Sequence, residues 1–123
     1  FGGKQGVRSS SSVDLVDRFT TAMRDNGVRV GFYYSGGLDW HFNGPFSANP
    51  APHEGADWFD SATGVPSTEE YALYADAHWR ELIRYGPDIL WNDIGYPRAG
   101  KWMTVAAEFY NSNRQGVIND RFK

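Results

Sequence analysis

The chain has 123 residues and no cysteine, which excludes disulfide scaffolds, Cys-ligated zinc and iron–sulfur clusters and makes one domain over residues 1–123 the ceiling. Twelve Lys and Arg against 15 Asp and Glu give a net charge of -3, so there is no general electrostatic grip on nucleic acid or on an anionic membrane. Hydrophobic residues at 41% permit a core, and an aromatic share of 16% exceeds the needs of packing, a hint of rings that stack on sugar faces. No run approaches the roughly 18 apolar residues of a membrane span and no charged-then-apolar leader follows Phe1, so the expectation is a soluble protein.

Residues 1–7 read as an irregular lead-in. Ser9 to Ser12 then offer N-caps, Asp14 and Asp17 place negative charge in a first turn, and Val13, Leu15, Val16, Phe19, Ala22 and Met23 form an apolar stripe at helical spacing. Gly27 stops that helix at the C′ position. Val28 to Tyr34 is short, β-branched and aromatic, hence a buried strand in which Gly31 marks a close backbone approach.

From Ser35 to Pro66 the chain is rich in Gly, Asn and Pro turn chemistry around Trp40, Phe42, Phe46, Trp58 and Phe59. A loop of this length with this aromatic content points to function. Ser67 to Glu70 forms a capping box and opens a helix that presents Tyr71, Ala75, His78, Trp79, Leu82 and Ile83 on one side, ending near Tyr85-Gly86-Pro87. Ile89 to Asp93 is a second strand whose last residue is a carboxylate. A third helix spans about Lys101 to Tyr110 and buries Trp102, Val105, Ala106 and Phe109. Gly116 to Asn119 is a third strand, followed at once by Asp120 and Arg121.

Strands that alternate with helices imply right-handed crossovers and a parallel sheet, an α/β fold. Ile89 and Val117 lie 28 residues apart, near the repeat of a (β/α)8 barrel, whose active sites form at the carboxyl ends of the strands. The spacing also fits a doubly wound sheet.

Asp93 is the sharpest candidate, because a carboxylate that ends an apolar strand costs burial energy unless it is paired or used. The bland alternatives are a cap or an ion pair. Tyr33 and Tyr34 end the first strand, and since neighbours face opposite sides only one of them can point into a given site. Arg121 offers a five-donor fork to hydroxyls or a carboxylate, with a surface salt bridge as its alternative. His41, His53 and His78 have no i,i+4 partner and no HExxH pattern; the cluster of His53, Glu54, Asp57 and Asp60 is a minor candidate for a cation site, and the expectation is neither metal nor cofactor.

Three segments, Gly31-Phe-Tyr-Tyr-Ser-Gly-Gly-Leu-Asp-Trp40, Leu90-Trp-Asn-Asp-Ile-Gly-Tyr-Pro97 and Val117-Ile-Asn-Asp-Arg121, together resemble the α-L-fucosidases of glycoside hydrolase family 29. The resemblance implies part of a (β/α)8 barrel and cleavage of terminal α-L-fucose with retention. It implies Asp93 as the nucleophile, Tyr34 and Arg121 as sugar contacts, and Trp91 and Trp40 as pocket walls. The expected partners are a fucosylated oligosaccharide or an aryl fucoside.

A whole barrel takes roughly 250 residues, and the resemblance covers about three βα units. The family's acid/base carboxylate has no counterpart among the three motifs, which leaves Glu54, Asp57 and Asp60 as suspects. The expectation is therefore a truncated barrel that associates into a homo-oligomer to cover its sheet edges and apolar faces. The competing class is a non-catalytic carbohydrate-binding module or an inert fragment of a fucosidase.

Overall fold

The computed structural model describes residues 12–37 and 68–122. Among these residues three helices and three strands alternate: α1 (Leu15–Asp25), β1 (Gly31–Tyr34), α2 (Glu69–Ile83), β2 (Ile89–Asn92), α3 (Trp102–Ser112) and β3 (Val117–Ile118), with a short 3₁₀ turn at Asp120–Phe122.

The helix caps fall one or two residues beyond where the sequence pointed. Asp14, not Ser12, caps α1, its carboxylate accepting the Asp17 amide at 3.0 Å. Thr68, not Ser67, caps α2, its hydroxyl accepting the Tyr71 amide at 3.2 Å. At the other end of α1, Gly27 adopts a left-handed φ of 71°. The Gly27 amide donates to Arg24 O and the Val28 amide to Met23 O, each at 2.9 Å, the paired bonds of a Schellman cap. That cap shortens β1: the Val28 amide is already committed and cannot enter the ladder.

The strands lie in the order β1-β2-β3, all parallel, with Gly31 beside Ile89, Tyr33 beside Trp91, and Leu90 beside Ile118. A Cβ on Gly31 would sit 3.0 Å from Ile89 Cβ, so the close approach expected there is real. Alternation sorts the side chains. Phe32, Tyr34, Leu90 and Ile118 point to the helices, into a core with Trp79, Val105, Phe109 and Phe122. Tyr33, Ile89, Trp91 and Val117 point to the opposite face and are exposed.

Among the described residues, one helix-covered face and an unreversed strand order favour barrel winding over the doubly wound alternative, which places helices on both faces and reverses direction at a switch point. The three strands are thus an arc of a (β/α) barrel. The apolar stripe of α1 departs from expectation: Leu15 is 67% exposed, Phe19 is exposed, and the buried residue is Thr20. Polar bonds tie this helix to the turn after α2, where Arg24 donates to Tyr85 O and Gly86 O. Tyr85 Oη returns a bond to Asp14 Oδ2 at 2.7 Å.

Candidate active site

The site is assembled at the carboxyl ends of the three strands. The Asp93 amide donates to Tyr34 O at 3.0 Å, so β1 holds the backbone of Asp93 even though β2 itself ends at Asn92. By alternation Asp93 falls on the side of Trp91 and Tyr33, away from the helices.

Three donors converge on its carboxylate. Tyr33 Oη donates to Oδ2 at 2.8 Å, the Ile94 amide donates to Oδ1 at 2.9 Å, and the Arg121 guanidinium donates to Oδ1 as an ion pair. The Asp93 side chain is 23% exposed and the Arg121 side chain 58%, so a ligand can reach both. In the order of their effect, the Tyr33 hydroxyl, the Ile94 amide and the Arg121 guanidinium hold the Asp93 carboxyl below its ordinary pKa. In return, the bond to Asp93 pushes the Tyr33 hydroxyl up. At neutral pH the site therefore presents an oriented carboxylate beside a protonated phenol and a cation.

The backbone that carries Asp93 is strained. Ile94 has φ 59° and Gly95 φ 80°, and a β-branched residue in the left-handed region is a true outlier whose cost is of order 1–3 kcal/mol. That conformation aims the Ile94 amide back at the preceding carboxylate. Farther along the same loop, the buried Tyr96 Oη donates to the buried Asp76 Oδ1 at 2.5 Å, and the Lys101 amide donates to the same carboxylate at 3.0 Å. Desolvation together with Asp76 raises the Tyr96 pKa far above its ordinary value, so this phenol stays a donor. The loop is thereby anchored to α2.

Of the residues the sequence pointed to, Asp93, Arg121 and Trp91 reach the strand-end region, Trp91 being 49% exposed on the sheet face away from the helices. The tyrosine whose hydroxyl meets Asp93 is Tyr33; Tyr34, the sugar contact that the resemblance implies, lies on the other face. Tyr34 shares its parity with Phe32, so its ring lies edge-on to Trp79 and its hydroxyl 3.0 Å from His78 Nδ1, on the helix side. Gly31, on Tyr33's parity, was the available sign of which side is open. Trp40, Glu54, Asp57 and Asp60 lie outside the described residues. Among the described residues no group of three His, Asp or Glu is placed to hold a metal ion.

Sequence reading missed Asn92 and Asn119. Asn119 Oδ1 accepts the Asn92 amide at 3.1 Å and its Nδ2 donates to Asn92 O at 2.8 Å. A side chain thus extends the β2–β3 ladder by one step, and Arg121 follows two residues later. An asparagine at the end of each of two adjacent parallel strands was the only signal.

A family model described as Alpha-L-fucosidase matches residues 5–123. Among solved structures, the chain is similar to Thermotoga maritima alpha-L-fucosynthase in complex with alpha-L-Fuc-(1-2)-beta-L-Fuc-N3, with 41% identity and TM-score 0.72 over 89% of this chain and 24% of that one. It is similar to Thermotoga maritima alpha-fucosidase, with 41% identity and TM-score 0.71 over 89% of this chain and 24% of that one. The same similarity extends to that enzyme in complex with fucose, at 41% identity and TM-score 0.71 over 89% of this chain and 25% of that one. The chain thus spans about a quarter of the length of the structures it matches. A search of curated proteins finds no match.

Proposed function

This chain belongs to the alpha-L-fucosidase family, and from that premise we propose that it supplies the nucleophile side of a site that hydrolyses terminal α-L-fucosides with retention of configuration. The observation that carries the reading is Asp93: an ionised carboxylate at the open end of a barrel strand, oriented by Tyr33, Ile94 and Arg121.

In the first step a carboxylate oxygen of Asp93 bonds to the anomeric carbon while the bond to the leaving oxygen breaks, and a general acid gives that oxygen a proton. In the second, a water oxygen bonds to the anomeric carbon, the ester bond to Asp93 breaks, and the conjugate base of the same acid takes the water's proton. Tyr33 and Arg121 flank the carboxylate and are placed to bind sugar hydroxyls, with Trp91 as a wall. Arg121, a permanent cation, also keeps Asp93 ionised as the oxocarbenium-like charge develops.

Retention requires a second carboxylate about 5–5.5 Å from the first. The described partners of Asp93 are donors, not carboxylates. We place the acid/base on the segment of Glu54, Asp57 and Asp60 or on a second copy of the chain. Association is supported by exposed apolar side chains away from Asp93: Leu15 and Phe19 on α1, and Ile89 and Val117 at the starts of their strands. Size exclusion with light scattering checks it; a well-folded monomer at micromolar concentration overturns association.

The catalytic reading is tested with a chromogenic aryl α-L-fucoside. Asp93→Gly should abolish turnover, and added azide should restore aglycone release with a fucosyl azide as product. Unchanged turnover in Asp93→Gly overturns the reading.

A further inference from the structure

The buried carboxamide of Asn92 touches the chain at the end of all three strands. Asn92 is fully buried. Its Nδ2 donates to Gly95 O at 2.8 Å, beyond β2, and to Arg121 O at 2.6 Å, beyond β3. Its Oδ1 lies against Gly36, beyond β1, so close that a Cβ there would come within 2.6 Å. Both amide hydrogens are used on two different loops, and turning the amide over would set its oxygen against two carbonyl oxygens. Its orientation is therefore fixed.

Those two loops carry the two partners of Asp93 Oδ1. Gly95 O belongs to the turn in which Ile94 is held left-handed with its amide on Oδ1, and Arg121 O belongs to the residue whose guanidinium pairs with Oδ1. We infer that Asn92 is a positioning residue: its carboxamide, without touching substrate, sets the Ile94 amide and the Arg121 guanidinium against one oxygen of Asp93. The inference rests on the proposed role of Asp93 and deepens it, since it names what holds the nucleophile in a reactive orientation. A strained turn relaxes unless its surroundings over-determine it, and the Asn92–Gly95 bond is a restraint of that kind.

The test is the titration of the Asp93 carboxyl carbon by NMR in the whole chain, with steady-state kinetics on an aryl α-L-fucoside alongside. Asn92→Leu keeps the branched shape and heavy-atom count and removes both donors; Asn92→Ser, smaller and polar, serves if the bulkier leucine variant does not fold. Asn113→Leu is the control for loss of a structural carboxamide, since Asn113 Nδ2 donates to Pro87 O at 3.1 Å, in the segment leading into β2.

In folded Asn92 variants the Asp93 titration should move up toward the ordinary carboxylate value. kcat should fall about 100-fold with KM nearly unchanged, the scale expected when a reacting group is displaced by about 1 Å. Asn113→Leu should leave the titration in place. An Asp93 titration that stays put in folded Asn92 variants overturns the inference. A titration that moves in a protein that hydrolyses no fucoside upholds the positioning of Asp93 and overturns the proposed reaction alone.

Discussion

The Tyr33 hydroxyl donates to Asp93 Oδ2 at 2.8 Å, joining two residues 60 apart in the chain through adjacent parallel strands. Tyr33 stands beside Trp91 in register, and Asp93 lies two residues farther on, so the contact is a diagonal one that only a long side chain can span. Tyr33→Phe should raise the acid limb of kcat/KM and lower kcat by tenfold or more, on the order of a lost positioned proton donor. Tyr34→Phe, on the helix side, should leave that limb in place. Paired pH–rate profiles of the two variants check the assignment.

Asp93 and Asp14 both have folded pKa values below the ordinary carboxylate value. A depressed folded pKa contributes stability that is fully present above the unfolded value of about 3.9 and is lost as the pH falls through the folded value. Urea denaturation at stepped pH should therefore show stability decline below about pH 4. Asp14→Asn, which also loses charge beside the first turn of α1, should flatten that decline. A decline of equal steepness in the variant contradicts the assignment.

Gly116 is the close-packing point beneath α3. A Cβ there would fall 2.3 Å from Phe109 Cζ and 3.1 Å from Asn113 O. Gly116→Ala should destabilise by about 1–3 kcal/mol through overpacking. Part of that loss should return in a Phe109→Leu background, where the ring is gone. Denaturation midpoints of the single and double variants measure the coupling.

Tyr96 and Asp76 clamp the loop that follows Asp93. Tyr96→Phe removes one donor from a buried carboxylate and should cost about 1–3 kcal/mol. The Lys101 amide and the Arg80 guanidinium, 4.0 Å away, remain with Asp76. Because the loop is held at its far end by Tyr96 and at its near end by Asn92, this variant should unfold at lower urea while keeping the Asp93 titration. Denaturation and NMR on one sample separate the two effects.

How legible the fold was depended on which force set each feature. Val105, Ala106 and Phe109 of α3 were readable because one apolar face meets one core. Element ends were less so, since neighbouring Ser67 and Thr68 are equally good caps and only the chain's path selects one. β1 begins only at Gly31 because the Schellman cap takes the Val28 amide and the Asp88 carboxylate takes the Val30 amide, and beyond Ile118 Asn119 pairs with Asn92 through its side chain. Asp93 was visible as a charge at the end of an apolar strand. That Tyr33 meets Asp93 while Tyr34 faces the helices required the register, and the contacts of Asn92 required three loops in space, neither of which a single chain's pattern encodes. The resemblance and the strand-end chemistry both pointed to Asp93 and Arg121, and in the structure Arg121 and Tyr33 both contact Asp93.

The central claim, that Asp93 attacks the sugar, is tested most directly by trapping. Incubation with a 2-deoxy-2-fluoro-α-L-fucosyl fluoride, followed by protease digestion and tandem mass spectrometry, should find one fluorofucosyl ester, located on Asp93. An ester on any other carboxylate, or an unmodified chain that still hydrolyses an aryl fucoside, would contradict it.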